Sequence, residues 1–212
     1  MRTPERLGPY LYRQSDRSFP LGQDTLLLSR FATLRRSWRV CDLGCGAGAL
    51  LLLLPGREPS LSLTGVELDG PDAALARQNL TENGLAGTVH TADLRQVREF
   101  LPAGGFDLVV SNPPYFPQGA GASGGASRTE ERCTLAQVCA AAGYLTRSGG
   151  RFALVHRPER LCALLDALRQ HGLEPKRLQL VQAGPEHPPS ALLLEAVRQG
   201  KPGLEVLPVR ML

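Results

Sequence analysis

The sequence lacks any long apolar run. Across its 212 residues, no uninterrupted hydrophobic stretch approaches the roughly 20 residues that span a bilayer. The first residues, MRTPERLGPYLYRQS, are polar and lack the apolar segment of a secretory signal. The composition, 42% apolar and 21% charged, is typical of a globular protein. We therefore expect a cytoplasmic protein without membrane association, folded as a single domain over residues 1–212.

The sequence also lacks a cysteine framework. It has five cysteines, an odd number, and no repeated CxxC spacing typical of a structural zinc site. Cys41 and Cys45 lie around a glycine turn, and Cys139 and Cys162 lie in helical patterns rich in alanine and leucine. We interpret them as small buried side chains in a reducing compartment, and we predict no metal site.

Acidic residues are scarce at the N-terminal end. Residues 1–39 contain eight arginines and three acidic residues, a net charge of +5, whereas the remainder has 16 basic and 17 acidic residues. A basic flank on a nearly neutral body suits a polyanion such as RNA. A solvated arginine-rich surface would have the same composition, so both interpretations stay open.

From residue 38 onward, short β-like runs alternate with helical stretches. This alternation predicts an α/β fold in which helical crossovers join parallel strands. The last two strands are separated only by residues 183–190, which predicts a C-terminal antiparallel hairpin. The predicted strands are 38–43, 61–67, 87–91, 106–111, 151–156, 176–182 and 191–197. The predicted helices are 47–54, 71–83, 94–101, 130–147 and 158–171, with stops at Asn83-Gly84 and His171-Gly172.

Residues 1–37 precede this core of residues 38–212 as an N-terminal extension. Within the extension, residues 21–32 (LGQDTLLLSRFA) are predicted to form a short amphipathic helix with Asp24 as its N-cap.

The stretch VCDLGCGAGAL (40–50) ends a predicted strand at Asp42 and opens a helix. Gly44, Gly46 and Gly48 follow in a D-x-G-x-G-x-G pattern. Glycines at such a turn let the backbone approach a ligand and direct amide N–H groups into the crevice at the carboxyl ends of the strands.

Two acidic residues end the next two strands. Glu67 closes the second strand and is predicted to accept hydrogen bonds from both hydroxyls of a ribose. Asp93 follows the third strand and could accept from the amino group of an adenine, or could be an ordinary helix cap. Leu68 and Ala92, beside these acids, are counted among the cofactor-binding residues. Together these positions predict a nucleoside lying across three adjacent strand ends.

The glycine spacing distinguishes between two nucleoside cofactors. The dinucleotide fingerprint is G-x-G-x-x-G, which this sequence does not follow, and no catalytic set for a nicotinamide is evident. The sequence therefore favours S-adenosylmethionine, with S-adenosylhomocysteine as the product.

The fourth strand runs directly into Asn112-Pro113-Pro114-Tyr115. The prolines restrict the backbone and hold its carbonyls outward beside the Asn112 side-chain carbonyl. Two adjacent acceptors can bind both hydrogens of a planar amino group and so localise the nitrogen lone pair towards a methyl donor. Tyr115, together with Phe116, can stack on a flat substrate.

These motifs resemble the class I S-adenosylmethionine-dependent methyltransferases that methylate amino groups and carry a (D/N)PP(Y/F) motif. Within them, the sequence is similar to the bacterial tRNA adenine-N6 methyltransferases that modify the purine 3′ of the anticodon in a valine tRNA. The resemblance covers most of the chain and implies a Rossmann-like fold with a seven-stranded, mostly parallel sheet. The similar segments are FPLGQDTLLLSRFA (19–32), SNPPYFPQG (111–119), RTEERCT (128–134), GGRFALVHRPERL (149–161) and GKPGLEV (200–206).

The resemblance also implies roles for residues outside the glycine motif. The segment around Gly22, Asp24 and Thr25 would cover the methionine part of the cofactor, and Arg128 and Arg132 would contact RNA phosphates. The family usually has His or Tyr where this chain has Cys133, which concerns substrate details rather than the reaction. The sequence leaves open whether the protein is a monomer or a homodimer and whether it needs a helper protein.

Three other functions remain compatible with the motifs. Protein glutamine methyltransferases also use NPPY, but they normally carry a helical domain before the glycine motif. Guanine-N2 methyltransferases of ribosomal RNA more often have Phe at the position of Tyr115. A non-catalytic RNA-binding protein is the third alternative, and the intact acidic and NPPY motifs argue against it.

Overall fold

A computed structural model of the chain describes residues 3–16, 18, 21–113 and 133–212. The strands in these ranges are β1 (Glu5–Leu7), β2 (Tyr10–Tyr12), β3 (Arg39–Leu43), β4 (Ser62–Glu67), β5 (Gly87–Thr91), β6 (Phe106–Ser111), β7 (Thr146–His156), β8 (Leu173–Gln182), β9 (Ala191–Arg198), β10 (Glu205–Val206) and β11 (Arg210–Met211). The helices are α1 (Gln23–Phe31), α2 (Ala49–Leu53), α3 (Gly70–Glu82), α4 (Leu135–Leu145), α5 (Leu161–Gln170) and the 3₁₀ helices Leu94–Glu99 and Pro158–Arg160.

Nine strands form one mixed sheet in the order β10-β8-β9-β7-β6-β3-β4-β5, with β11 also pairing with β8. The strands from β3 to β7 run parallel, and β9 is antiparallel to both β7 and β8. The predicted α/β fold with a C-terminal antiparallel hairpin is confirmed. Within the described residues the sheet has nine strands rather than seven, because the short β10 and β11 extend its β8 edge.

Apolar side chains cover both faces of the sheet. In β6, Leu108 and Val110 pack on the side of α1, α2 and α3, whereas Val109 packs on the side of α4 and α5. All three are fully buried. This two-sided burial explains why the run FDLVVS is apolar throughout instead of alternating with polar residues.

Several element boundaries differ from those that the sequence predicts. β7 begins at Thr146 rather than at residue 151, and the predicted helix over 94–101 is a 3₁₀ helix. α4 begins after Thr134, whose hydroxyl accepts from the amide of Gln137 in a capping box. The predicted helix stops are confirmed, since Gly84 and Gly172 have φ angles of +65° and +69°.

The predicted N-cap of α1 is wrong. Gly22, with an extended backbone, is the N-cap, and Asp24 lies inside the first turn. The chain enters the helix earlier than predicted because glycine is itself acceptable at an N-cap. Asp24 in the first turn still places a negative charge near the positive end of the helix dipole.

The N-terminal extension contains a hairpin, β1–β2, that the sequence reading did not predict. Gly8, with φ of +62°, lies in its turn, and Leu7 and Tyr12 are buried in the core beside α2 and α3. The extension is therefore partly built into the body of the protein. None of the described helices is both long and apolar enough to span a membrane.

Candidate functional site

The predicted site residues of three strands lie at one edge of the sheet. β3 lies between β6 and β4, with Asp42 opposite Val110 on one side and opposite Gly65 on the other. Because parallel strands end at the same edge, the glycine loop after β3, Glu67 at the end of β4 and Asn112 after β6 are neighbours. The structure thus brings these predicted residues together.

The glycine loop after β3 leaves open space on its outer side. Gly44, Gly46 and Gly48 have φ angles of +73°, +52° and +86°, a region that L side chains rarely adopt. A Cβ atom added to Gly44 or Gly46 would meet nothing within 4 Å, whereas one on Gly48 would lie 3.1 Å from the Ala76 side chain of α3. Gly48 is therefore required for packing, and the other two leave a surface that a ligand can approach.

The amides of the three glycines do not point into the crevice as predicted. Gly44 donates to the Val66 carbonyl at 2.8 Å, and Gly48 donates to the Cys45 carbonyl at 2.8 Å. The Gly46 amide donates to Glu67 Oε2 at 2.8 Å. The loop folds back onto the end of β4, and this contact uses the amides that were expected to face a ligand.

Asp42 is buried and incompletely bonded. It is 2% exposed, and its Oδ1 atom has no hydrogen-bond partner among the described residues. Burial, together with the nearby Glu67 carboxylate, raises the pKa of Asp42 to about 8. An unpartnered buried acceptor beside an open glycine loop fits a ligand that brings a hydrogen-bond donor, and a cationic donor best.

Glu67 is half-buried at the end of β4. Its two carboxylate oxygens accept from the amides of Gly46 and Asp69, each at 2.8 Å. Burial raises the pKa of Glu67, and these two hydrogen bonds oppose the increase. Each oxygen retains a lone pair that can accept from a hydroxyl. Next to it, Leu68 is an apolar side chain that is 46% exposed.

Asp93 is held as a helix cap. Its Oδ1 accepts from the Arg95 amide and its Oδ2 accepts from Arg95 Nε, both at 2.8 Å, and this pairing lowers the pKa of Asp93. The geometry favours the helix-cap interpretation that the sequence left open. Ala92, before it, donates its amide to the Glu67 carbonyl at 2.9 Å, which ties the ends of β4 and β5 together.

Asn112 follows β6 and is joined to the N-terminal extension. Its Nδ2 donates to Thr25 Oγ1 in α1 at 2.9 Å. Immediately before it, the buried Ser111 hydroxyl donates to the Leu43 carbonyl at 2.8 Å, which fixes the end of β6 against the end of β3. Gly22 and Asp24 lie in the same short stretch as Thr25, at the start of α1.

Part of the predicted site lies outside the described residues. Pro113 is described and is half-buried. The remaining predicted catalytic and substrate-binding residues beyond the described ranges are Pro114, Tyr115, Phe116, Arg128 and Arg132.

Asn79 is a site-supporting residue that sequence reasoning missed. This fully buried side chain in α3 donates from Nδ2 to the carbonyls of Ala47 (2.8 Å) and Arg13 (2.9 Å), and its Oδ1 accepts from the Arg13 amide (2.9 Å). It therefore connects the glycine loop with the N-terminal extension. One turn later, Asn83 bonds both backbone groups of Leu11 at 2.7 Å. An asparagine at an apolar helix position was the available signal.

A second missed feature is the buried carboxylate of Glu195 in β9. It accepts from the amide and hydroxyl of Thr33, at 2.8 and 2.9 Å, just after α1. It also pairs with Arg151 at 2.5 Å and with Arg177 at 3.3 Å. The cluster holds the end of α1 on the sheet. The signal was a single charge inside the apolar strand ALLLEAV.

His156, at the end of β7, is a packed side chain. The Arg157 amide donates to its Nδ1 at 2.8 Å, and burial lowers the pKa of His156 to about 4. The ring is therefore neutral near pH 7.

A cavity of about 600 Å³ lies elsewhere, near the amino ends of β6 and β7. Its lining includes Arg98, Tyr144 and Arg198, and it includes none of the predicted site residues. Within the described ranges, no three His, Cys, Asp or Glu side chains are grouped in a way that could hold a metal ion.

Comparisons with known proteins agree with this geometry. The model of the methyltransferase small domain family matches residues 21–170. The chain is 28% identical over 180 residues to the tRNA1(Val) (adenine(37)-N6)-methyltransferase of Parabacteroides distasonis, which covers 82% of this chain and 75% of that protein. The enzyme of the same name from Cronobacter sakazakii is 32% identical over 166 residues, covering 73% of this chain and 67% of the relative.

Solved structures show the same fold. A predicted O-methyltransferase from Agrobacterium tumefaciens has a TM-score of 0.72 at 22% identity, covering 89% of this chain and 86% of that one. TrmN from Thermus thermophilus has a TM-score of 0.63 at 22% identity, covering 82% of this chain and 48% of that one. The chain therefore has the class I methyltransferase fold and belongs to the methyltransferase small domain family.

Proposed function

We propose that this protein binds S-adenosylmethionine and transfers its methyl group to the N6 amino group of an adenine in tRNA. The observation that carries the proposal is the placement of Asn112. Its amide nitrogen is bonded to Thr25, which leaves the side-chain carbonyl as the acceptor at the end of β6, beside the glycine loop. Two relatives that align with most of this chain are named as tRNA adenine-N6 methyltransferases.

The glycine loop and its acidic partners would hold the cofactor. Asp42 has an unpartnered buried oxygen for a cationic group, and Glu67 has lone pairs for the two ribose hydroxyls. Gly44 and Gly46 leave the space into which the ligand fits, and exposed Leu68 would cover the adenine. When bound, the sulfonium group supplies an electrophilic methyl carbon.

The end of β6 would hold the acceptor amine. The Asn112 side-chain carbonyl and the Pro113 backbone carbonyl would each accept a hydrogen bond from this amino group. The two bonds would move the nitrogen towards tetrahedral geometry and localise its lone pair. The methylated ammonium then loses a proton readily, so no base is needed before attack. Pro114 would continue the rigid turn, and Tyr115 would stack on the base.

RNA is the proposed partner, and the cytoplasm is the proposed location. The target adenine would have to leave its stack to reach the NPPY turn. Phe116 would add to the stacking, and Arg128 and Arg132 would contact phosphates. Several arginines of the basic N-terminal extension are solvent-exposed and could add to this surface: Arg6, Arg30, Arg35 and Arg36. A helper protein is also compatible, since one neighbour of the same fold was solved with the Trm112 activator.

The test is a transfer assay with purified protein, S-adenosylmethionine and unmodified valine tRNA transcript. Digestion and mass spectrometry of the nucleosides should detect N6-methyladenosine. Asn112→Ala is expected to abolish the product while S-adenosylhomocysteine still binds by calorimetry. Formation of N2-methylguanosine, methylation of a protein glutamine, or the absence of affinity for either cofactor form would each refute the proposal.

A further inference from the structure

β10 and β11 form the outer edge of the sheet beyond β8. Val206 lies opposite Leu178, and Met211 lies opposite Gln182, both in parallel pairing. Among the described strands, none pairs with the outer side of this edge. Such an edge presents backbone N–H and C=O groups on which another strand can pair.

The edge has exposed apolar side chains in addition to the charges of Glu205 and Arg210. The exposed fractions of its apolar side chains are 38% for Leu204, 63% for Val206, 43% for Val209, 46% for Met211 and 54% for Leu212. A contiguous group of exposed apolar side chains on a strand edge indicates an interaction surface.

Hydrogen bonds to β8 fix the direction of the edge backbone. Leu207 donates to the Leu178 carbonyl at 2.8 Å, and Leu212 donates to the Gln182 carbonyl at 3.1 Å. Because backbone direction alternates along a strand, the residues just before these two donors direct their backbone groups away from β8. These outward residues are Val206 and Met211.

A bulge separates the two short strands. The edge advances four residues, from Val206 to Arg210, while β8 advances three, from Leu178 to Val181. The additional residue reverses the alternation, so Val209 directs its backbone outward as Val206 does. Leu204, Val206, Val209 and Met211 therefore lie on one face of the sheet, and Leu212 lies on the other.

The segment is self-complementary when two copies run antiparallel. If Val206 pairs with Val209 of a second copy, Leu204 pairs with Met211 on the same apolar face. On the opposite face, Glu205 then lies against Arg210, a pair of opposite charges. Neither charge takes part in an ion pair within the described ranges.

Pro208 lies next to the centre of this arrangement. It has no N–H to leave unpaired, and its carbonyl accepts from Gln179 Nε2 at 2.9 Å. The proline therefore leaves no backbone N–H without a partner when the edges of two copies pair.

We propose that the protein forms a homodimer in which residues 204–211 of two copies pair antiparallel about a two-fold axis beside Pro208. The two sheets become continuous, and each favourable pair occurs twice because the interface is isologous. This inference does not depend on the proposed function.

The test is sedimentation equilibrium of the whole chain and its charge variants. Glu205→Arg places two arginines opposite each other, and Arg210→Glu places two glutamates opposite each other. Each change is expected to raise the dimer dissociation constant about tenfold or more, since like charges directly opposite are unfavourable. The double variant, and an equimolar mixture of the two single variants, should recover dimers because opposite charges again face each other.

Weaker dimers in both single variants and recovery in the double variant together identify this register, because exchanging the two charges restores both ion pairs only where 205 faces 210. Recovery in the mixture shows that the charges of the two copies meet across the interface. A wild-type protein that is still monomeric at about 100 μM would overturn the proposal, because a dimer with a dissociation constant of about 1 μM is mostly formed at that concentration. Dimers that are equally stable in wild type and in both single variants would overturn it as well.

Discussion

The Asn112 side-chain amide donates to Thr25 Oγ1 at 2.9 Å, which joins the end of β6 to the first turn of α1. The two residues are 87 positions apart in the chain. Thr25 is buried, and Asn112 is half-buried. The bond fixes the side-chain orientation of Asn112, so the proposed acceptor geometry depends on the N-terminal extension as well as on the NPPY turn.

Replacing Thr25 by valine should reduce turnover. The change keeps the side-chain volume and removes the acceptor, so the Asn112 amide can rotate away from the orientation that presents its carbonyl. We expect kcat for methyl transfer to fall about tenfold, corresponding to one hydrogen bond of ordinary strength. Thr25→Ser, which keeps the hydroxyl, should retain most of the activity. Equal kcat values for the Val and Ser variants would contradict this role.

Asp42→Asn should change how stability depends on pH. The pKa of Asp42 is about 8 in the folded protein and 3.8 for an unperturbed aspartate. Between these values the folded state holds a proton that the unfolded state has lost, so the free energy of unfolding decreases as pH rises from about 4 to 8. The asparagine variant should lack this decrease and should exceed wild type at pH 8 by more than about 1 kcal/mol. Urea unfolding at several pH values measures both.

The same carboxyl should make cofactor binding dependent on pH. A cationic ligand group favours ionised Asp42, so binding below pH 8 should release a proton. Calorimetry at pH 7 in two buffers with different ionisation enthalpies should detect this release for wild type and not for Asp42→Asn. Identical proton release from the two proteins would assign the proton to another group.

Asn79→Ala should weaken both the fold and the proposed cofactor site. It leaves the Arg13 backbone groups and the Ala47 carbonyl without their partner, which costs about 1–3 kcal/mol in the free energy of unfolding. Asn83→Ala is the matched control, because Asn83 also binds the extension, at Leu11, but does not bond the glycine loop. We expect only the Asn79 variant to lose affinity for S-adenosylhomocysteine in calorimetry. Equal losses in both variants would show that the glycine-loop contact is unimportant.

Glu195→Gln should destabilise the protein by about 2 kcal/mol or more. The change removes the only negative group in the cluster while the guanidinium groups of Arg151 and Arg177 stay largely covered. Glu174→Gln, in the more exposed pair with Arg169, should cost less than about 1 kcal/mol. Thermal unfolding of both variants measures the difference. A Glu195 variant as stable as the Glu174 variant would contradict an anchoring role for this carboxylate.

The central sheet could be predicted because its strands are buried on both faces and bounded by turn residues. The run FDLVVS is recognisable without tertiary information, and so is the glycine turn after Asp42. Helix ends at Gly84 and Gly172 were also predictable, since a left-handed C-cap favours glycine. The grouping of Asp42, Glu67 and Asn112 followed from their positions at the ends of parallel strands.

Other features depend on contacts between distant segments. β1, β10 and β11 have two or three residues each, too few to show a periodic pattern. They exist because β2 provides a partner for β1, and β8 provides one for β10 and β11. The direction of the glycine amides could not be predicted because it depends on where β4 ends. The roles of Asn79 and Glu195 depend on which backbone groups the extension brings to them.

The hydrogen bond from the Ser111 hydroxyl to the Leu43 carbonyl joins the ends of β6 and β3. The backbone hydrogen bonds between β3 and β6 also hold this edge of the sheet, where donor and acceptor would meet. The two strands therefore do not separate easily. The contact between Thr25 and Asn112, by contrast, is one side-chain hydrogen bond. Loss of that bond should therefore turn the Asn112 side chain and leave the pairing of β3 with β6 intact.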